Sequence, residues 1–292
     1  MSTTSPTSNP KHKPITTQTF LQKKQRGERI SMLTAYDYQT AMAVDESGVD
    51  SILVGDSLGM VVLGYENTLS VTLEDMLHHC KAVARGAKHA LLVGDMPFMT
   101  YQVSIPDAVR NAGAFLQQAN MHAVKLEGGT ERVPTIQAIL SAGIPVMGHL
   151  GLTPQSVHRF GGFRPQGMNL TAAQQILEDA LRLQDAGVFS IVLESVPSRL
   201  AALISSRLEI PTIGIGAGAG CDGQVLVVHD MLGLFERFTP RFVKKYANLY
   251  PEMIQAFEEY KRDVESGAFP APEHTVDLPD DEWQEFLKTI DA

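Results

Sequence analysis

The sequence predicts an α/β fold, a TIM (β/α)8 barrel followed by C-terminal helices. Three observations carry that expectation. From residue 29 onward, short aliphatic runs alternate with longer amphipathic stretches, the pattern of a parallel sheet covered by helices. The aliphatic runs number eight, which fits a barrel better than an open doubly wound sheet. Ionisable residues fall late in these runs or just behind them, and in a barrel the carboxyl ends of the strands converge on one mouth.

The strand candidates, in order, are ISMLTAYD from Ile30, SILVGDS from Ser51, ALLVGDMP from Ala90, AVKLEGG from Ala123, IPVMGHLG from Ile144, SIVLESVP from Ser190, IPTIGIGAG from Ile210 and VLVVHDM from Val225. Between them lie stretches with apolar residues at helical spacing, such as TLEDMLHHCKAVARGA from Thr72, IPDAVRNAGAFLQQAN from Ile105 and TAAQQILEDALRLQDAG from Thr171. The loop GIGAGAG from Gly214 superficially resembles a dinucleotide-binding turn. It comes late, lacks the context of a first strand-to-helix turn and precedes another strand, so a tight turn or a backbone wall at the barrel mouth is the better reading.

Outside the barrel, residues 1–14 are rich in Ser, Thr and Pro and read as a disordered leader. The catalytic barrel with its closing helices is expected over 15–270. Its last part, RFVKKYANLYPEMIQAFEEYKRDVESGAFP, reads as one or two helices, kinked or broken near Pro251 and stopped by Gly267 and Pro270. The acidic tail, 271–292, places Trp283, Phe286, Leu287 and Ile290 at helical spacing, which predicts a short docking helix on the barrel or on a neighbouring subunit.

Composition excludes several function classes. A net charge of −9 with no Lys/Arg-rich run argues against a nucleic-acid surface. No apolar stretch approaches the roughly 18 residues of a membrane span, and no signal or transit pattern opens the chain, so a cytoplasmic location is expected. The two cysteines, Cys80 and Cys221, have neither metal-knuckle nor redox spacing and read as reduced packing residues.

The strand-end set comprises Asp37, Asp56, Asp95, Lys125, Glu127, His149, Glu194 and Asp230. A lone aspartate there is more often a helix N-cap or loop residue than a ligand. The matched V-G-D placement of Asp56 and Asp95 instead points to a shared job, and paired hard oxygens suit Mg2+ or a similar ion, with Glu127 as a third carboxylate directly or through water. Lys125 and Glu127 are two residues apart and share a strand face. Together they are either a structural salt bridge or a cation placed to bind a substrate carboxylate or an oxyanion. His149 is either a satisfied core histidine or a hydrogen-bond donor to a carbonyl or enolate. Glu194 ends an apolar strand, as a general base can.

At these residues the chain resembles a known family. TAYDY, VGDSLGM, DMPFMTY, VKLEGG, GHLGLTPQSV, FGG, VLESVP, IGIGAG and DGQVLVVHD follow the motifs of ketopantoate hydroxymethyltransferases in order, from roughly residue 15 to 270. That family is similar in architecture to the isocitrate lyase and phosphoenolpyruvate mutase barrels. The resemblance implies transfer of a hydroxymethyl group from 5,10-methylenetetrahydrofolate to 3-methyl-2-oxobutanoate through a Mg-stabilised enolate, in pantothenate biosynthesis. It also implies a large homo-oligomer, commonly a decamer. By motif, Asp56 and Asp95 would hold Mg2+, Glu127 would reach the metal through its shell, Ser57 and Lys125 would bind the oxo acid, and Glu194 would be the base. Two other enzyme readings stay open: a metal-dependent lyase, which in related barrels generally uses a mouth cysteine, and a Schiff-base aldolase through Lys125.

Overall fold

The structure, a computed structural model, describes residues 13–290. The first twelve residues of the expected leader and the last two of the tail lie outside it. Eight parallel strands form a closed barrel in sequence order: β1 (Ile30–Thr34), β2 (Ser51–Val54), β3 (Leu91–Asp95), β4 (Ala123–Glu127), β5 (Val146–Gly151), β6 (Ser190–Glu194), β7 (Thr212–Ile215) and β8 (Gly223–Leu226). Closure pairs Ile30 of β1 with Gly223 of β8.

Strands β2 to β7 are buried on both faces, which is why they read as near-continuous apolar runs and not as alternating ones, whereas β1 and β8 expose Ser31 and Gln224. Outward side chains such as Ile52, Leu92, Val124 and Leu193 join helix residues Met76, Phe115, Ile139 and Leu183 in the larger core cluster. Inward side chains, among them Met32, Leu53, Val93, Met147 and Ile213, form a second cluster inside the barrel. Gly94 sits between Val93 and Asp95 because the Phe115 ring packs on it; a Cβ there would lie 2.4 Å from that ring. Each fully buried aliphatic or aromatic side chain contributes about 1.5–3 kcal/mol, so the two clusters together give the site a rigid floor.

A helix not anticipated from the sequence, Thr17–Gln25, plugs the opposite end of the barrel. Its Phe20 belongs to the inner cluster and meets Phe189 edge-to-face at 5.9 Å. Lys24 pins the helix to Asp222 at 2.9 Å.

Three expectations need correction. The run from Val225 stays extended only to Leu226; the Val228 N–H donates to Thr34 Oγ1 at 2.9 Å, and Val228–Met231 turns as a helix, so Asp230 does not end a strand. Asp37 is not among the residues lining the cavity: it caps the helix Tyr38–Glu46, accepting from the Thr40 N–H at 2.8 Å. Leu249–Ser266 is one unbroken helix with Pro251 in its first turn, where a missing N–H costs nothing. The tail does form a helix, Asp280–Ile290, yet it buries no residue, and Trp283 is 45% exposed. Its apolar spacing is real, but its own barrel does not cover it. No helix among the described residues is long and apolar enough to cross a membrane.

Candidate active site

Strand register builds the site. Asp95, the last residue of β3, lies opposite Lys125 of β4; Glu127, the last of β4, lies opposite His149 of β5. Facing residues on parallel neighbours point the same way, so these four side chains converge inside the barrel above the inner core. Glu194 ends β6, and Asp56 and Ser57 follow β2 by way of Gly55. Asp56, Ser57, Asp95, Lys125, Glu127, His149 and Glu194 all line one cavity of about 470 Å3, as does Asp230; Asp37 does not.

Lys125 Nζ stands 2.7 Å from Asp95 Oδ1, with both side chains almost fully buried. Burial alone works against the ammonium, but the carboxylates of Asp95, Glu127 and Asp56 outweigh it and hold Lys125 well above the usual lysine range. His149 lies between two carboxylates: Nδ1 is 3.5 Å from Glu127 Oε1 and Nε2 is 3.3 Å from Glu194 Oε2. Burial and the Lys125 charge disfavour the imidazolium, yet those flanking carboxylates win and raise its pKa to about 9. Nδ1 also lies 3.3 Å from Lys125 Nζ, a contact that suits a neutral ring accepting there. The charged form, facing two carboxylates, is the one the surroundings favour.

Asp56 and Asp95 stand side by side, with the Asp56 N–H donating to Asp95 Oδ2 at 3.2 Å. Burial first, then the charges of Asp95 and Glu127, push the Asp56 carboxyl well above its usual range. A divalent cation at this edge would relieve that crowding. Among the described residues, no three His, Cys, Asp or Glu side chains close around a common point as a metal cage. What is offered is a two-carboxylate edge, which fits a hard ion that completes its shell with water and substrate. Glu127 has one oxygen engaged: Oε2 accepts from the Gln155 N–H at 3.0 Å.

Two residues here were missed by the sequence reading. Gln155 Nε2 donates to Asp56 Oδ2 at 2.9 Å and to the Met96 carbonyl at 3.0 Å, while its Oε1 accepts from Tyr101 Oη at 2.6 Å. Tyr101 Oη in turn accepts the Glu127 N–H at 3.1 Å. This buried chain fixes the ends of β2, β3 and β4 relative to one another. Both residues lie within quoted motifs, DMPFMTY and GHLGLTPQSV, but a glutamine and a tyrosine in loops carry no periodic signal. Ser195, next to Glu194, is held at φ 49, a left-handed conformation unusual for a non-glycine residue. Ser57 hydrogen-bonds Tyr36 Oη at 2.8 Å.

Cys80 and Cys221 are buried, free and absent from the cavity lining. Burial pushes both thiols up, so neither supplies the mouth nucleophile of a cysteine-dependent lyase.

Lys125→Met is expected to destabilise the metal-free protein by about 3–5 kcal/mol, because it leaves buried carboxylates without their cation. Saturating Mg2+ is expected to recover part of that loss. Denaturant titration with and without the ion measures both; equal stability of variant and wild type would contradict the pairing.

Known proteins match this chain along most of its length. The family model for ketopantoate hydroxymethyltransferase matches residues 14–272. The 3-methyl-2-oxobutanoate hydroxymethyltransferase of Syntrophomonas wolfei subsp. wolfei is 59% identical over 267 residues, covering 91% of this chain and 97% of the relative. The enzyme of that name from Nitratidesulfovibrio vulgaris is 53% identical over 290 residues, covering 99% and 94%. Among solved structures, 2,3-dimethylmalate lyase, a PEP mutase/isocitrate lyase superfamily member, superposes with a TM-score of 0.55 at 14% identity, covering 94% of this chain and 98% of that one; that likeness concerns the fold alone. With the family model spanning the whole barrel and relatives above half identity, the chain belongs to the ketopantoate hydroxymethyltransferase family.

Proposed function

We propose that the protein transfers a hydroxymethyl group from 5,10-methylenetetrahydrofolate to 3-methyl-2-oxobutanoate, giving 2-dehydropantoate for pantothenate biosynthesis. The observation that supports this reading is that the Glu194 carboxylate lines the same cavity as the Asp56–Asp95 carboxylate edge and the buried Lys125 ammonium. Asp56 and Asp95 would hold Mg2+, with Glu127 reaching it through water. When bound, the ion supplies Lewis-acid polarisation of the oxo acid's carboxylate and carbonyl. Lys125 and Ser57 bind and orient the acid. Glu194 removes the C3 proton, and the charge that appears on the enolate oxygen is met by the Lys125 ammonium and the His149 N–H. His149, 3.3 Å from Glu194 Oε2, also holds that carboxylate in place. The C3 carbon then forms its bond to the methylene carbon while the two C–N bonds to the folate break; water supplies the hydroxyl oxygen, and its remaining proton together with the one taken from C3 goes to the two nitrogens of the released tetrahydrofolate.

We further propose that the working form is a homo-oligomer, a decamer by family resemblance. Support comes from the helix Leu249–Ser266, which exposes Met253, Ile254, Phe257, Tyr260 and Val264 along one face and buries none of them against its own barrel. Sedimentation measures the assembly directly, and a monomer at micromolar concentration would contradict it.

The activity itself is tested with purified protein, 3-methyl-2-oxobutanoate, Mg2+ and methylenetetrahydrofolate. Ketopantoate should form, and removal of the ion with a chelator should stop it. Absence of product with all components present would overturn the proposal.

A further inference from the structure

The cavity is larger than the small branched acid at its floor requires. Its volume of about 470 Å3 is that of a site for a drug-sized ligand, for which roughly 300–1,000 Å3 is typical. The two ends also differ in chemistry. The floor carries the ionisable groups described above, whereas the opening is ringed by Phe163, Phe238 and Phe242 with Arg241 beside them. Phe163 and Phe238 are each 48% exposed and Phe242 is 38% exposed. Leaving three aromatic rings half in water around one opening is unfavourable without a ligand to cover them.

The ring is held in place by identifiable contacts. The segment bearing Phe238 and Phe242 is clamped by Arg237, which donates to the Gly64 carbonyl at 2.9 Å and the Tyr65 carbonyl at 3.1 Å. Phe238 meets Phe235 edge-to-face at 5.4 Å. Phe242 lies on Gly216, the third glycine-rich-loop residue from Gly214; Gly216 has φ +63, and a Cβ there would come within 2.7 Å of the ring. The GIGAG loop is thus the wall on which this aromatic residue rests. Arg241, by contrast, is exposed and makes no hydrogen bond or ion pair among the described residues, so its charge is available to a ligand.

We propose that Phe163, Phe238, Phe242 and Arg241 form the binding collar for the one-carbon donor, with the phenylalanines stacking on a planar heteroaromatic ring and Arg241 pairing with the carboxylate of its tail. The inference rests on the folate-dependent reading above. It places the donor outermost and the oxo acid innermost, so the acid binds first and the donor closes over it.

The test is calorimetric titration of the Mg2+- and oxo-acid-saturated protein with tetrahydrofolate, and separately with a tetrahydropterin that lacks the aminobenzoyl-glutamate tail. Phe238→Ala and Phe242→Ala are expected to weaken both ligands, on the order of 10- to 100-fold, the effect that removal of a stacking ring has on heteroaromatic ligands. Arg241→Ala is expected to weaken tetrahydrofolate and leave the tail-less pterin unchanged. Phe242→Leu, which keeps the packing on Gly216, serves where alanine costs folding. Folate-independent deuterium exchange at C3 of the oxo acid separates the two proposals. If wild type and variants all exchange while tetrahydrofolate binds the variants as tightly as wild type, the collar is overturned and the enolisation chemistry stands. If wild type neither exchanges nor binds tetrahydrofolate, the proposed function fails and the collar with it. An equal effect of Arg241→Ala on both ligands contradicts its role toward the tail.

Discussion

Asp56→Ala and Asp95→Ala are each expected to lower Mg2+ affinity at least a hundredfold and to abolish turnover while leaving the barrel folded. Each removes one of the two carboxylates at the ends of β2 and β3, and among the described residues no further set of three potential ligands forms a cage to take over. The fold should survive because the inner core lies below the site, and because Asp56 is itself burdened by burial and by its acidic neighbours. Thermal unfolding separates these effects. A ligand that binds only the native state at a hundredfold excess over its Kd adds about 2.7 kcal/mol of stability. Wild-type protein should therefore melt at a higher temperature as Mg2+ is added, and neither variant should respond. Unchanged Mg2+ affinity in both variants would remove the two-aspartate edge from the chemistry.

The barrel was legible because its strands are buried on both sides and ended by polar residues. Runs such as SILV and LLV announce such strands, and Asp95, Lys125, Glu127, His149 and Glu194 needed only strand ends and period-two alternation to be brought to one mouth. Asp37 shows where that reasoning stops. Its placement behind β1 matches that of Asp56 behind β2, and only the local turn, in which Asp37 accepts the Thr40 N–H, sends it to a cap. The end of β8 was illegible for a similar reason: VLVV has strand propensity throughout, and a tertiary hydrogen bond from the Val228 N–H to Thr34 bends the chain early. Gln155 and Tyr101 do their work through long-range hydrogen bonds that no periodicity records. The tail helix was legible in its spacing, but its covering surface is not supplied by its own barrel, so sequence pattern alone could not say where it docks. The aromatic collar was unreadable because its phenylalanines come from two loops far apart in the chain.

Glu194→Gln is expected to retain Mg2+ and oxo-acid binding while losing proton abstraction at C3. The amide keeps the shape of the side chain, and the proposed metal and acid ligands lie on other strands. Removal of a general base typically costs on the order of 10²- to 10⁴-fold in rate. His149 is the nearest alternative, since it sits 3.3 Å from Glu194. Its two nitrogens face Glu127 and Glu194, however, and those carboxylates favour the protonated ring, which cannot accept a further proton. In the proposed sequence enolisation comes before the one-carbon donor is needed, so this step can be observed alone. The measurement is proton NMR of 3-methyl-2-oxobutanoate in D2O with Mg2+ and enzyme but no folate, following the C3–H signal. Wild-type protein should wash the signal out and Glu194→Gln should leave it in place; exchange by the variant at the wild-type rate would contradict the assignment of Glu194 as the base.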